Sequence, residues 1–326
     1  MGRQTVGAVR IAGRATSPLV FGTARLTGGD GWGEPADPDR SRQLVRHAVA
    51  AGYNHLDTAD SLGPGVAERI IGEALDAEAP VLVATKVGML RPGPGRWGVL
   101  GHPDYLRQQV HASRSRLRRD RLDLVYLHRV DPDYPLADQL GALEDLREQG
   151  VIGHVGISEP TPGQLAQAAS LVRLAAVQSH YSLIHRANRV VAEQAEDLGV
   201  PFVAYWALAG HGLDASGWRR LEQIAASWAE EHGLGWLQGE PDGSGAGSAR
   251  ERTVWALAAW LLADLPGASL LVGSRSADHL RRDRLVLDNP LAAEAAKDLA
   301  ARVAASPLGA TANPLGPVAA GSERTA

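Results

Sequence analysis

The sequence predicts one α/β domain, a (β/α)8 barrel with an N-terminal β-hairpin and a long insertion between strands seven and eight. Short apolar runs of strand length recur along the chain, each followed by sequence of helical periodicity. Four of these runs end in a reactive side chain. Asn54-His-Leu-Asp57 ends in a carboxylate, Val81-Leu-Val-Ala-Thr-Lys86 in an ammonium, Leu122-Asp-Leu-Val-Tyr-Leu-His128 in an imidazole and His154-Val-Gly-Ile-Ser158 in a hydroxyl. Chemistry at the carboxyl ends of successive strands is what the catalytic face of such a barrel presents. No Gly-x-Gly-x-x-Gly follows an early strand, which argues against a doubly wound dinucleotide-binding sheet.

Taken in order, Thr5 to Ile11 alternates weakly and meets a turn at Gly13, as a small hairpin would. Leu19-Val-Phe-Gly-Thr23 is the first barrel strand. A Gly-rich loop holding Trp32 follows, then a helix over Ser41 to Ala51, with Leu44, Val45, Ala48 and Val49 on one face and Gly52 stopping it. Strand two ends at Asp57 and leads through a polar turn into a helix from Val66; strand three ends at Lys86. Arg91-Pro-Gly-Pro-Gly-Arg-Trp97 is too rich in Gly and Pro to be helical. Helices are expected over Pro103 to Leu117 and from Leu136 through Leu146 to a stop at Gly150, on either side of the strand ending at His128. Thr161-Pro162 after Ser158 reads as an N-cap with proline at the first helical position. Ala175-Ala-Val-Gln178, Pro201-Phe-Val-Ala-Tyr205 and Ala268-Ser-Leu-Leu-Val272 are strands six to eight, the last leading through Gly273-Ser-Arg-Ser276 into a final helix. The insertion holds helices over Ser216 to His232 and Arg252 to Leu265, with Gly233 to Ser248 expected as a mobile loop. Residues 1–305 form the domain, and 306–326, rich in Ala, Gly and Pro, an unstructured tail.

Composition narrows the partners. Hydrophobic residues make up 44% of the 326, enough for a large core, and the formal net charge of -4 gives no reason to expect nucleic acid or an anionic membrane. No cysteine occurs, which excludes disulfides and thiol chemistry. Met1 to Val6 lack the apolar core of a signal peptide, and no apolar run approaches the roughly 18 residues of a membrane span. A cytoplasmic protein acting on a small molecule is expected, and the heavy use of Ala, Arg and Gly fits a GC-rich bacterial genome.

Asp57 alone reads equally well as a turn residue, and His128 alone as a structural histidine. Lys86 is harder to place so, because an ammonium ending an apolar strand needs an anionic partner, and Asp57 on the neighbouring strand is the natural one. Trp32, Trp97 and Trp206 fall just after strand ends and, with Leu62, can line a large apolar pocket. Trp255 and Trp260, on a helix, read as core.

Asn54-His-Leu-Asp-Thr-Ala-Asp-Ser61, Ala84-Thr-Lys86, Asp123-Leu-Val-Tyr-Leu-His128-Arg129, Gly156-Ile-Ser158, Val177-Gln178 and Gly273-Ser-Arg-Ser276 together give the chain a close resemblance to the aldo-keto reductases over roughly residues 5 to 300. The resemblance implies a metal-free barrel that reduces carbonyls with NADPH. In that family hydride passes from the nicotinamide to carbonyl carbon while a tyrosine protonates the oxygen; a lysine lowers the phenol pKa, an aspartate holds the lysine and a histidine orients the carbonyl. These roles fall on Asp57, Lys86 and His128, but the tyrosine position holds Leu62. Ser158, Gln178 and the ring of Tyr205 fall on the nicotinamide, with Glu159 where the family has asparagine. A carboxylate accepts but cannot donate, so half of the carboxamide recognition is missing there. Ser274 and Arg275 fall on the 2′-phosphate, His279 and Asp283 on the adenosine, and Thr23 on the cofactor as well. Losing a general acid typically costs about 10²–10⁴ in rate. Leu62 therefore leaves three readings open: a reductase with an altered proton source, an enzyme of non-redox chemistry (lyase, isomerase or cyclase) in the same barrel, or a non-catalytic NADP(H)-binding protein.

Overall fold

The computed structural model describes residues 5–209, 213–238 and 247–308. A hairpin of β1 (Val9–Ile11) and β2 (Arg14–Thr16) opens the chain. Then come β3 (Leu19–Gly22), α1 (Pro38–Ala50), β4 (His55–Asp57), α2 (Val66–Ala74) and β5 (Leu82–Val87). A second hairpin, β6 (Met89–Gly93) and β7 (Arg96–Val99), precedes α3 (Pro103–Leu117) and β8 (Leu124–Leu127). The chain continues through α4 (Leu136–Glu148), β9 (Val155–Ser158), α5 (Pro162–Leu171), β10 (Leu174–His180), α6 (Arg189–Asp197) and β11 (Phe202–Tyr205). Helices α7 (Ala215–Glu231) and α8 (Ala249–Asp264) fill the insertion before β12 (Ser269–Val272), and α9 (Ala277–Asp283), α10 (Leu285–Asp288) and α11 (Ala293–Ala304) follow. Strands β3, β4, β5, β8, β9, β10, β11 and β12 pair in parallel and in that order, and β12 returns to β3 to close the barrel.

The first hairpin turns through Ala12 and Gly13, both at positive φ, and plugs the amino-terminal end of the barrel. Val9 and Ile11 join Val20, Leu82, Leu124, Tyr126 and Val203 in an interior apolar cluster. A second, larger cluster lies between the strands and the ring of helices. There α4 buries Leu136, Leu140, Leu143 and Leu146, as its periodicity predicts. Full burial of each such side chain is worth about 1.5–3 kcal/mol relative to exposure. Trp255 and Trp260 of α8 are both 1% exposed, as core residues should be.

Caps decide where helices start. Asp37 accepts the Arg40 N–H at 2.9 Å, so α1 begins at Pro38, a polar turn earlier than its apolar stripe suggests. Thr161 with Gln164, and Ser248 with Glu251, form reciprocal capping boxes on α5 and α8. The Pro- and Gly-rich segment after β5, expected as a loop, is the β6–β7 hairpin instead. Of the Gly-rich insertion, Gly235–Leu237 is a 3-10 turn with Leu237 buried, which is more order than a mobile loop implies. Residues 239–246 and 309–326, which carry the rest of that expectation and most of the expected tail, lie outside the described residues.

Inside the barrel, His55 lies below Asp57 on the same face of β4. It is fully buried with neither ring nitrogen hydrogen-bonded. Burial pushes its pKa down from 6.5 to about 4. Between those values the unfolded chain takes up a proton that the folded one refuses, so stability is full above pH 6.5 and falls as pH drops toward 4. The shift corresponds to roughly 3 kcal/mol. Urea denaturation at pH 7 and pH 5 should show this loss, and His55→Leu should flatten it; an unchanged slope in the variant would assign the acid sensitivity to other groups.

Candidate active site

The carboxyl ends of β4, β5, β8, β9, β10 and β11 bring most of the expected residues together at one mouth. Asp57 pairs in register with Gly22 and Ala84, and Lys86 with Tyr126. Lys86 is 5% exposed and Asp57 4%, and the ammonium is in direct ion-pair contact with Asp57 Oδ1. Lys86 Nζ also donates to the Thr58 carbonyl at 2.8 Å, and the Gln178 amide donates to Asp57 Oδ2 at 2.8 Å. The pair thus ties three strands across the barrel. Burial pulls the Lys86 pKa below its usual value, Asp57 opposes this, and Arg129 adds to it.

His128 ends β8, half-buried at the mouth. Burial, then Arg129 and Lys86, hold its pKa well below the usual histidine range, so the ring is neutral at neutral pH and can offer an N–H to a carbonyl oxygen. Tyr126, two residues earlier, is fully buried deeper in the barrel, with its ring centroid 5.6 Å from Lys86 Nζ. Burial, reinforced by Asp57, pushes its phenol well above the usual range.

Leu62 is half-buried at the start of the turn into α2. The turn is firmly held. Gly63 exchanges backbone hydrogen bonds with Gly31 and Gly33, and Arg91 donates to the carbonyls of Gly31 and Ser61, both at 3.2 Å. The guanidinium lies 3.6 Å from the Trp97 ring centroid and 5.3 Å from that of Trp32. Arg91 thus joins Trp32 and Trp97 to the turn that carries Leu62, and the spacing of the sequence does not single it out. Trp206 is on the other side, at the end of β11, and its ring meets His180 edge-on with centroids 5.3 Å apart. His180 stacks on His185 at 3.9 Å and, through burial, has its pKa lowered to about 4.

Ser158 and Gln178 are register partners on β9 and β10, and Tyr205 lies one strand further, paired with His180. Glu159 is held in the left-handed region at φ 53, where its Oε1 accepts the His180 N–H at 2.5 Å. Arg129 donates to Ser158 Oγ at 3.3 Å and to the Tyr205 hydroxyl at 3.2 Å. Its place directly after His128 was the available signal for it. Thr23 ends β3 and donates to the Asp57 carbonyl at 2.9 Å.

A second group gathers after β12. Ser274 Oγ accepts the Ser276 N–H at 3.0 Å and shapes the turn, while Arg275 is exposed with no ion-pair partner among the described residues. His279 lies 3.4 Å from Glu251, and Asp283 accepts from Trp255 Nε1 at 3.0 Å, with burial raising its pKa to about 6. Asp60 belongs to neither group. It is 5% exposed with both oxygens unpartnered, and burial followed by nearby Glu68 raises its pKa well above the carboxylate range. The described residues contain no cluster of metal-binding side chains and no helix long and apolar enough to cross a membrane.

Removing one half of a buried ion pair leaves an uncompensated charge. Asp57→Asn is expected to cost about 3–5 kcal/mol in urea denaturation, and the Asp57→Asn/Lys86→Met double variant to recover most of it. A loss below about 1 kcal/mol in the single variant would show that the ammonium does not depend on Asp57.

Residues 18–303 match the aldo/keto reductase family. An uncharacterized oxidoreductase of Schizosaccharomyces pombe is 34% identical over 232 residues, 68% of this chain and 76% of that one. Pyridoxine 4-dehydrogenase of Escherichia coli is 30% identical over 278 residues, 83% and 89% of the two chains. Among solved structures, an aldo-keto reductase from Klebsiella pneumoniae in complex with NADPH superposes with a TM-score of 0.71 at 23% identity, covering 92% of this chain and 94% of that one. The chain belongs to the aldo/keto reductase family of oxidoreductases.

Proposed function

We propose that the protein is an NADPH-dependent reductase acting on the carbonyl of a bulky apolar substrate, in which Lys86 supplies the proton through a water that it holds. The observation that carries this is the hydrogen-bond inventory of the lysine. Of its three N–H groups one meets Asp57 and one the Thr58 carbonyl, which leaves one without a partner among the described residues. Burial makes that ammonium a stronger acid than a free lysine, while Asp57 keeps it charged. His128 orients the carbonyl oxygen as a neutral N–H donor. Trp32, Leu62 and Trp97 exclude water from one side of the substrate and favour an apolar group there.

The cofactor site fits the group. Bound NADPH supplies the hydride. Ser158 and Gln178 stand together to take the carboxamide, Tyr205 offers a ring beside them, and exposed Arg275 next to Ser274 suits the 2′-phosphate. The NADPH complex of the Klebsiella relative, which has the same fold, supports this choice.

Restoring the phenol tests the proton route. Leu62→Tyr is expected to reduce generic aldehydes at least about 10²-fold faster than the wild type at matched NADPH affinity. Equal turnover would show that the wild type already has an efficient acid, and His128→Ala abolishing that activity would identify it as His128. For the phosphate site, Arg275→Ala should weaken NADPH binding by about 1.5–3 kcal/mol in titration calorimetry and leave NADH binding nearly unchanged. Equal wild-type affinity for the two nucleotides would sink the NADP(H) preference.

A further inference from the structure

The nicotinamide end of the site lacks a donor, and the structure contains a replacement. A carboxamide presents an oxygen with two lone pairs and an NH2 with two hydrogens. Around the register pair Ser158–Gln178, one hydrogen of the Gln178 NH2 is engaged with Asp57 Oδ2, which turns that group toward β4 and leaves its oxygen to accept from the ligand's NH2. Ser158 can donate one hydrogen. The second donor should come from position 159, but Glu159 only accepts, with Oε1 taking the His180 N–H at 2.5 Å and the carboxylate also facing the Tyr205 hydroxyl.

Arg129 stands beside this gap. One guanidinium nitrogen donates to the His128 carbonyl at 2.8 Å and to Ser158 Oγ at 3.3 Å, and the other to the Tyr205 hydroxyl at 3.2 Å. The side chain thus spans from the carboxamide ligand Ser158 to the ring expected beneath the nicotinamide. It has no carboxylate partner among the described residues, and of its five N–H groups the Nε hydrogen and one on the second terminal nitrogen remain unassigned. We infer that Arg129 is a nicotinamide-binding residue, donating to the carboxamide oxygen in place of the asparagine that Glu159 has displaced. Glu159 in turn is a positioning residue: the His180 N–H holds its Oε1, and its carboxylate and the guanidinium meet through the Tyr205 hydroxyl and form no direct ion pair. The assignment rests on the NADP(H) reading above.

The test separates this contact from general electrostatics. NADPH and its nicotinamide-free analogue 2′-phospho-ADP-ribose are titrated by calorimetry into the wild type, Arg129→Met, Glu159→Asn and the double variant. Arg129→Met should weaken NADPH about 10- to 100-fold and leave the analogue within about twofold, because the lost bond is a charge-assisted one to the carboxamide alone. In the double variant the asparagine supplies a neutral donor, and most of the NADPH affinity should return. Three results would overturn the assignment: unchanged NADPH binding in Arg129→Met, equal weakening of both nucleotides, or the same loss on removing Arg129 whether position 159 is Glu or Asn. Wild-type protein that binds neither nucleotide would overturn the cofactor reading itself, and this assignment with it.

Discussion

The Lys86–Asp57 pair is the constraint on which the rest of the site depends. Two charges placed almost wholly out of water must satisfy each other and then fill their remaining hydrogen-bonding capacity locally. Asp57 does so with the Gln178 amide and Lys86 with the Thr58 carbonyl, so β4, β5 and β10 are tied at one level of the barrel. Below that level His55, the Tyr126 phenol and Ser269 lie among apolar side chains, and burial lowers the His55 pKa and raises that of Tyr126. A buried pair of this kind is weak evidence for stability, since well-packed apolar residues often do as well. Its presence in a barrel that could have been filled with Val and Leu therefore points to chemistry.

Position 62 lies in a turn that its neighbours hold from several sides. The turn that carries Leu62 is sewn to the Trp32 loop by Gly31, Gly33 and Gly63, and Arg91 fastens both to the β6–β7 hairpin through Gly31 and Ser61. Gly63 sits at φ +92, and a Cβ there would come within 2.4 Å of Val66, so the turn admits no larger residue at that point. At the position where the resemblance places a tyrosine, leucine offers a branched alkyl group in place of the whole phenol, ring and hydroxyl together.

The barrel and its central triad could be read from the sequence because a strand alternates its faces and ends at a fixed level; Asp57, Lys86 and His128 follow from counting residues. The β6–β7 hairpin could not. Its two strands form a separate two-stranded sheet beyond the barrel, so no one-sided apolar alternation marks them, and Pro94-Gly95, which argues against a helix, is also suited to a hairpin turn. Helix α6 was missed for a related reason: its buried face is only Val191, Ala192 and Ala195, too small a stripe to stand out. Contacts such as Arg91 on Trp32, or Glu159 on the His180 N–H, join segments that follow different strands, and spacing along the chain carries no record of them. Glu159 is the clearest case. Its backbone lies in the left-handed region, which asparagine tolerates far better than glutamate, so only a tertiary bond explains how the larger side chain is kept there.

Charge at the mouth completes the account. The chain as a whole carries a formal net charge of -4, yet Lys86, Arg91 and Arg129 converge on the site, and neither guanidinium has a carboxylate partner among the described residues. Asp57 offsets Lys86 through their direct ion pair, while burial, followed by Glu68, raises the Asp60 pKa well above the carboxylate range. In a partly desolvated pocket, fixed positive charges stabilise negative charge developing on an oxygen without reorganising to do so. Hydride delivery to a carbonyl creates such an oxygen before its proton arrives. On the proposed reading, a barrel without the phenol can tolerate a later proton because it holds the alkoxide electrostatically. The same field lowers the Lys86 pKa through Arg129, making the remaining acid a better donor. On that reading leucine at position 62 shifts the work from proton transfer toward charge stabilisation, which would favour carbonyls whose alkoxides are already only weakly basic.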